Sequence, residues 1–179
     1  LLIILLYTLG LRLGEALRLR IGDIDTARKT LFIRRSKFFK ERIVPYGPRL
    51  AVHIQKYLAL RKSFFVPITA DAPLFFGRRG GVIPIGEIDK FLPHLLEEAG
   101  IETVSGKRRP RWHDLRHSFA VSRLLRWYEE KGDVQSKLTV LSTFMGHVDI
   151  YSTQIYLSIT ENLLNEANKR FYTEFGHPY

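Results

Sequence analysis

Three apolar segments with helical periodicity each end at a glycine, and these helix ends constrain the fold more than any other feature. The first segment opens the chain and ends at Gly10, the second ends at Gly100, and the third ends at Gly146. A glycine directly after a helix adopts the left-handed conformation that other residues avoid, so each is predicted to stop its helix sharply. Arg12 and His147, which follow two of these stops, are therefore predicted to lie on turns held by the backbone.

Between these helices, short β-rich stretches alternate with further helical repeats. Strands are predicted at 19–25, 30–35, 42–45 and 74–76, and the second and third form a hairpin with its tip at 36–41. Helices are predicted at 48–62, 86–99, 113–127 and 160–171, with a short helix around 153–156. The helix at 86–99 is predicted to bury Ile88, Phe91, Leu92, Leu95 and Leu96. The fold class is predicted to be α+β and mainly α, a helical domain with a small antiparallel three-stranded sheet.

Length and composition fit one folded domain. With 179 residues and 45% hydrophobic content, the chain can bury a core, and 1–179 is predicted to be a single domain. The apolar run at 1–6 is too short to span a membrane and is followed by Arg12, Glu15 and Arg18, so it is predicted to be a buried helix. Because no N-cap residue precedes Leu1, we expect the chain to be a fragment whose natural N-terminal part is missing.

The charge of the chain favours a polyanionic partner. It carries 28 Lys and Arg against 18 Asp and Glu, a formal net charge of +10. Such an excess most often serves nucleic-acid binding. The absence of cysteine excludes disulfides, thiolate metal sites and cysteine nucleophiles, and it is compatible with a reducing cytoplasm.

The segment from Met145 to Tyr156 combines an imidazole with a phenol nine positions further on. Asp149 can cap the short helix that carries Thr153 and Tyr156 one turn apart, so both side chains are predicted to face His147. This pairing fits a nucleophile with a helper that accepts its proton. A packed tyrosine and a polar surface histidine are the structural alternative.

Two stretches nearer the start of the chain carry basic side chains, one at the junction of the first two helices and one at the hairpin tip. Glu15 lies three positions after Arg12 and is predicted to orient its guanidinium, with a surface ion pair as the alternative. The hairpin tip carries Lys37 and Lys40. A lysine at this position can reach into a nucleic-acid groove and deliver a proton, or it can serve solubility alone.

A third basic region is centred on a predicted helix. His113 and Arg116 are three residues apart and share one face of this helix. His113 and His117 have the spacing of a zinc half-site, but Asp114 stands where such motifs carry glutamate and no third ligand is evident, so phosphate binding is favoured. Packing or capping is the alternative for His117. The preceding loop is predicted to contact the phosphate backbone through Lys107, Arg108, Arg109 and Arg111.

Taken in chain order, these motifs resemble those of the tyrosine recombinase or phage integrase family. The matching elements are Arg12 in a Gly-Leu-Arg-x-x-Glu stretch, Lys37 in a hairpin, His113-x-x-Arg116, Gly146-His147 and then Tyr156. The resemblance covers nearly the whole chain. It implies a mostly helical catalytic domain with a small antiparallel sheet, which agrees with the fold predicted from the residues.

The resemblance also implies a reaction on double-stranded DNA. Tyr156 would attack a phosphodiester and leave a 3′-phosphotyrosine and a free 5′-hydroxyl. A second strand's hydroxyl would then reverse the step, without ATP, a metal or another cofactor. Arg12 and Arg116 would bind the two non-bridging oxygens, because a guanidinium is planar and always charged, and Glu15 would support Arg12 from behind.

Proton transfers in this reaction are assigned to two histidines and to the lysines of the hairpin tip. A phenol is mostly protonated at neutral pH, so His113 or His147 would assist the deprotonation of Tyr156 and bind the phosphate, and the sequence leaves the division of these roles open. Lys37 would protonate the departing 5′-oxygen, with Lys40 as the reserve.

Three other functions stay open at this stage. They are a type IB topoisomerase, a catalytically silent DNA-binding protein on the same scaffold, and a metallohydrolase built on His113 and His117. The resemblance further implies a homotetramer on paired DNA sites, with residues 157–179 docking on a neighbouring protomer, although the isolated fragment can be a monomer. An N-terminal DNA-clamping domain would lie outside this chain, and the protein would be cytoplasmic and associated with the nucleoid.

Overall fold

The computed structural model describes residues 1–34, 41–64, 68–78, 80–102, 106, 108–130, 133–147 and 151–175, without the side chains of 163 and 166–175. The chain forms two compact units, Leu1–Phe119 and Ala120–Tyr179. Helices predominate, and three strands form one antiparallel sheet. The predicted fold class is therefore confirmed.

The first unit opens with two short helices that meet at a glycine. Helix α1 spans Leu2–Leu9 and α2 spans Leu13–Leu17. Gly10 ends α1 with a φ of 59°, and a Cβ atom added to it would lie 2.4 Å from the ring of Phe119. Only glycine fits this point without strain or a clash, so the predicted helix stop is confirmed. The opening run forms a helix as predicted, but its burial is only partial, because Leu5 and Leu6 are buried whereas Ile3 is 43% exposed.

The sheet has the order β1-β2-β3, with strands Ile24–Asp25, Thr30–Ile33 and Arg42–Pro45. Its register pairs Ile33 with Arg42. The strand predicted at 19–25 is too long, because Ile21–Asp23 forms a 3-10 turn. The carboxylate of Asp23 accepts a hydrogen bond from the backbone N–H of Arg20 at 2.9 Å, and this local cap replaces a strand ladder.

Helix α3 spans Pro48–Arg61 and continues as a 3-10 turn at Lys62–Phe64, close to the prediction. The strand predicted at 74–76 is not formed. Its place is taken by two isolated bridges, Arg20 with Pro73 and Phe76 with Val82. Arg61 is buried, donates a hydrogen bond to the carbonyl of Pro73 at 2.9 Å and stacks over the ring of Phe76. This arginine thus holds the bridged loop against α3.

Helix α4 spans Ile85–Glu98, so its predicted position is confirmed. The prediction that it buries its apolar face is wrong. None of its residues is buried, and the side chain of Phe91 is 59% exposed. Apolar periodicity establishes that a helix has an apolar face, but it does not establish what covers that face.

The described part of the second unit contains two whole helices and the C-terminal part of a third. Helix α5 spans Trp112–Glu129 and crosses the boundary between the units, α6 spans Val134–Met145 and α7 spans Tyr151–Phe175. The two helices predicted around 153–156 and 160–171 are one continuous helix. Thr160 donates a hydrogen bond to the carbonyl of Tyr156 at 2.7 Å, so its hydroxyl is satisfied inside the helix and does not cap a new one. Asp149, predicted as a cap, lies outside the described residues.

No helix in the described part of the chain combines the length and the hydropathy needed to cross a membrane.

Candidate active site

The turn between α1 and α2 fixes Arg12. Its backbone is extended, with φ −70° and ψ 144°, at the N-cap of α2. The carboxylate of Glu15 accepts the backbone N–H of Arg12 at 3.0 Å and its guanidinium at 2.8 Å. Both ends of the arginine are therefore bound by one carboxylate, and this is the orienting contact predicted from their spacing.

A second arginine binds the same carboxylate. Arg42, the first residue of β3, donates hydrogen bonds to both oxygens of Glu15, at 3.1 and 2.9 Å. The side chain of Glu15 is only 1% exposed. Burial raises its pKa, but the hydrogen bonds and charge of Arg42, followed by those of Arg12, outweigh burial and lower the pKa to about 2. Relative to a glutamate with the ordinary pKa of 4.5, this lowering stabilises the ionised form of Glu15 by about 3 kcal/mol.

Arg116 is anchored at the same turn. Its side chain is buried, with 1% exposure, and it donates a hydrogen bond to the backbone carbonyl of Gly10. That carbonyl lies at the C-terminal end of α1, where the helix leaves carbonyl groups without helical partners and where positive charge is stabilised. Arg12 and Arg116, which are 104 positions apart in the sequence, are thus both tied to the three-residue turn from Gly10 to Arg12.

Two histidines lie one turn apart near the start of α5. The rings of His113 and His117 meet edge to face with 4.5 Å between their centroids. Partial removal from water lowers the pKa of His113, and electrostatic interaction with His117, Arg116 and Arg111 lowers it further. Desolvation also lowers the pKa of His117. Both pKa values lie below the ordinary value of 6.5, so both rings are mainly neutral at pH 7.

The basic loop before α5 is only partly described. The carboxylate of Asp114 accepts the backbone N–H of Arg111 at 2.7 Å. It also lies 3.5 Å from the guanidinium of Arg111 and 3.8 Å from that of Arg108. Arg108, Arg109 and Arg111 are all exposed. Lys107 of this loop and the hairpin lysines Lys37 and Lys40 lie outside the described residues.

An open groove of about 1000 Å³ lies beside this loop in the first unit. Its lining includes Leu92 and Leu96 of α4, together with Arg109, Trp112 and His113. The indole N–H of Trp112 is buried and has no hydrogen-bond partner among the described residues. The lining of the groove is therefore mixed, since it also includes Asp89, Glu97 and Glu102.

The described residues contain no group of three or more His, Cys, Asp or Glu side chains that could hold a metal ion. Within the described part of the chain, the pair formed by His113 and His117 has no third ligand of these types. The two imidazole rings contact each other edge to face.

The third candidate histidine, His147, lies in the second unit, where backbone and side-chain contacts hold it in place. Gly146 ends α6 with a φ of 69°, and the next N–H, that of His147, donates to the carbonyl of Ser142 at 2.9 Å. His147 Nδ1 lies 2.7 Å from the hydroxyl oxygen of Thr153. The rings of His147 and Tyr156 are nearly parallel, with an interplanar angle of 8° and 6.2 Å between centroids. The prediction that Thr153 and Tyr156 both face His147 is confirmed.

Tyr156 and the neighbouring tyrosine differ in exposure. The side chain of Tyr156 is 2% exposed, whereas that of Tyr151, at the start of α7, is 76% exposed. The two hydroxyl-bearing residues that share its side of the helix, Thr153 and Thr160, have no exposed surface. Tyr156 therefore belongs to a packed, partly polar layer of the second unit.

Sequence reasoning missed two arginines with internal partners, Arg42, whose side chain is 11% exposed, and Arg61, which is buried. Alternation along β3 was a usable signal for Arg42, because Val44 two positions on is apolar and faces the core, and residues two apart share a face. For Arg61 no such signal exists, because it ends an amphipathic helix where a basic residue is ordinary.

The fold is that of tyrosine recombinase catalytic domains. The crystal structure of XerA recombinase matches with a TM-score of 0.70 and 28% identity, and the match covers 98% of this chain and 55% of that chain. The structure of XerH site-specific recombinase bound to a palindromic difH substrate, a post-cleavage complex, matches with a TM-score of 0.70 and 24% identity, over 93% of this chain and 44% of that one.

The chain belongs to the Phage integrase family, whose profile matches residues 1–162. The y4rB protein of Sinorhizobium fredii, which is named as an integrase/recombinase, is 37% identical over 166 residues, or 93% of this chain and 53% of that protein. Tyrosine recombinase XerC of Halalkalibacterium halodurans is 32% identical over 168 residues, or 90% of this chain and 50% of that protein. The chain thus spans about half the length of the relatives it matches.

The Glu15 cluster predicts how stability depends on pH. Because the pKa of Glu15 is depressed to about 2 in the folded protein, its contribution is fully present above the ordinary value of 4.5 and is lost as pH falls towards 2. Urea unfolding at several pH values should show the parent losing more stability between pH 5 and pH 2.5 than Glu15→Gln does.

The control for this measurement is Glu129→Gln, because Glu129 is exposed. It should follow the parent at every pH. A difference between parent and Glu15→Gln that stays constant across this range would contradict the assignment.

Proposed function

We propose that this chain is the catalytic domain of a site-specific DNA recombinase that cuts and rejoins double-stranded DNA in the cytoplasm, at the nucleoid. The Tyr156 hydroxyl oxygen attacks a backbone phosphorus, an O–P bond forms, and the bond from phosphorus to the 5′-oxygen breaks. The tyrosine proton leaves to a base, and the 5′-oxygen receives a proton. Attack by the 5′-hydroxyl of another strand reverses these changes, so one phosphodiester replaces another and no external energy source is needed.

The observation that carries this proposal is the convergence of Arg12 and Arg116 on the turn at Gly10. Two fixed guanidiniums suit the two non-bridging oxygens of one phosphate, whose charge grows as the nucleophile adds. Arginine stays charged at every relevant pH, so it can perform electrostatically what a metal ion does in other phosphoryl transfers. The net charge of +10 adds a general attraction for DNA.

The nucleophile and its proton acceptor are proposed on separate grounds. Tyr156 follows the motif order of the family and packs on His147. A free phenol has a pKa of about 10, so a neutral imidazole nearby is a suitable proton acceptor. Both His147 and the mainly neutral His113 are candidates for this role and for bonding to the phosphate.

Basic residues of the hairpin tip and of the loop before α5 are proposed to act on the leaving group and on the DNA backbone. Lys37 is proposed to protonate the departing 5′-oxygen, and Lys40 is the reserve. The loop residues Lys107, Arg108, Arg109 and Arg111 are proposed to contact phosphates, where they would position the DNA without reading its sequence.

The role of the nucleophile has a direct test. Tyr156→Phe should abolish covalent attachment to a nicked DNA substrate, measured on denaturing gels, and should leave DNA affinity within a few-fold of the parent, because only one oxygen is lost. The parent should form the adduct without ATP and in the presence of a chelator. Tyr151→Phe is the matched control, since Tyr151 lies on the same helix but is exposed, and it should form the adduct normally.

A surviving adduct in Tyr156→Phe would transfer the role to another tyrosine. Loss of the adduct in Tyr151→Phe alone would identify that tyrosine. Cleavage that is lost in chelator and restored by added metal, with no adduct, would favour a metallohydrolase. DNA binding by the parent with neither cleavage nor adduct would favour a silent DNA-binding protein.

The general acid can be separated from a simple electrostatic contact. Lys37→Ala should slow cleavage by about 10²- to 10⁴-fold, the range for loss of a positioned general acid. A substrate whose bridging 5′-oxygen is replaced by sulfur departs without that proton, so it should restore cleavage to Lys37→Ala. Lys40→Ala is the control, and rescue of Lys40→Ala alone would show that the assignment to Lys37 is wrong.

Assembly is proposed to regulate the tyrosine. We propose a homotetramer on paired DNA sites, in which residues 157–179 dock on a neighbouring protomer. Tyr156 is 2% exposed, so it must become accessible before it can reach DNA, and it shares the continuous helix α7 with the docking segment. Displacement of the end of this helix would therefore displace the nucleophile.

Deletion of the residues after Asn162 should weaken assembly of the paired-site complex and alter cleavage together. Gel shift with two-site DNA measures assembly, and adduct yield on the same DNA measures cleavage. Recombinant products from paired sites would also distinguish a recombinase from a type IB topoisomerase, which would relax supercoils only. A truncated chain that assembles and cleaves like the parent would show that α7 does not couple the two.

A further inference from the structure

Arg42 occupies an unusual place for a strand arginine. It opens β3, yet its side chain is only 11% exposed, and its guanidinium binds both oxygens of a carboxylate that is itself buried. Its two terminal nitrogens bind one carboxylate oxygen each, the bidentate pairing that adds geometric specificity to an arginine–carboxylate contact. Arg42 thus determines the orientation of Glu15 more completely than a single bond could.

The same two oxygens also bind Arg12. Oε2 of Glu15 accepts the backbone N–H of Arg12, and Oε1 accepts its guanidinium. Each carboxylate oxygen is therefore shared between Arg42 and Arg12. A rotation of the Glu15 carboxylate would change the direction of the Arg12 guanidinium, because that direction is fixed through Oε1.

Charge gives a second reason for the arrangement. A pair of Arg12 with Glu15 alone is neutral, so the arginine would offer little net attraction to a phosphate. With Arg42 included, the cluster carries one net positive charge in a partly buried setting, where charge interactions are stronger than in water. Arg42 therefore leaves the charge of Arg12 available to an anion.

We infer that Arg42 is a positioning residue for DNA strand cleavage, which acts through Glu15 to orient Arg12 and to keep it effectively cationic. The inference rests on the proposed function for its kinetic consequence, but the link from Arg42 to Arg12 is a property of the fold. Arg42 itself need not touch DNA.

The chain contains a matched control for this arrangement. Asp23 is also buried and also accepts a backbone N–H at the start of a short helical turn, that of Arg20. It also pairs with an arginine, Arg34, which directly follows β2. Arg34 is 48% exposed, whereas Arg42 is 11% exposed, so what the two sites share is a buried carboxylate at a helix start that loses its arginine on substitution. No proposed catalytic group contacts that carboxylate among the described residues.

The first measurement concerns cleavage. In single-turnover assays at saturating DNA, Arg42→Met should slow adduct formation by about 10- to 100-fold, the cost of a misdirected group, while DNA affinity stays within a few-fold of the parent. Arg42→Lys keeps the charge but not the fork and should lie between Arg42→Met and the parent. Arg34→Met should cleave like the parent at a temperature where urea unfolding shows all variants to be folded.

A double-mutant cycle separates positioning from a general structural effect. If Arg42 acts through Arg12, then Arg42→Met should change the cleavage rate less than twofold in an Arg12→Ala background. An equal loss in both backgrounds would overturn the inference, as would an equal loss in Arg34→Met. If Arg42→Met does not fold, the cycle is run with Arg42→Lys, which retains a cation beside Glu15.

A spectroscopic measurement does not depend on activity. In protein labelled with ¹⁵N-arginine, the side-chain signal of Arg12, assigned by its loss in Arg12→Ala, should shift in Arg42→Met and Arg42→Lys and stay in place in Arg34→Met. An unchanged Arg12 signal overturns the inference whether or not the chain cleaves DNA. If the Arg12 signal shifts in the Arg42 variants but the parent forms no adduct with DNA, the link from Arg42 to Arg12 is supported and the proposed function is rejected.

Discussion

The ionised carboxylate of Glu15 is the interaction on which the arrangement of the first unit depends. A buried charge is costly unless it is paired and fully hydrogen-bonded, and here four N–H groups from Arg12 and Arg42 satisfy it. These donors come from a helix N-cap and from a strand that starts 27 positions after Glu15. The sheet and the turn that carries Arg12 cannot separate without breaking the two hydrogen bonds that Arg42 donates to this buried carboxylate.

Helix ends provide the second constraint. Gly10 and Gly146 both adopt left-handed backbone conformations, and each ends a helix. A candidate functional residue, Arg12 or His147, follows each glycine within two positions. At the end of α1 the carbonyl of Gly10 receives Arg116, and at the start of α2 Glu15 accepts a backbone N–H. A cation therefore lies at a helix C-terminus and an anion at a helix N-terminus, the favourable sense for the helix dipole at both points.

The features that the sequence predicts well are local. Glycine stops at 10 and 146 and the facing of Thr153 and Tyr156 towards His147 follow from backbone preferences and helical spacing, which neighbours along the chain determine. The errors arise where another contact intervenes. The Asp23 cap replaced part of a predicted strand, and the Thr160 hydroxyl found a partner inside the helix that it was predicted to start. Helix α4 shows a further limit, since periodicity revealed its apolar face but not that face's exposure.

Arg42 shows where local reasoning can be extended and where it ends. In β3, Ile43 is 65% exposed and Val44 is fully buried, so alternation places Arg42 on the inner side of the sheet. An inward guanidinium requires a buried acceptor, and this requirement can be stated from sequence alone. The acceptor's identity cannot, because the chain offers 18 carboxylates and the choice depends on how the sheet meets the turn after α1. Local rules therefore predict that a buried ion pair exists, and only the tertiary fold determines that its partner is the glutamate that also holds Arg12.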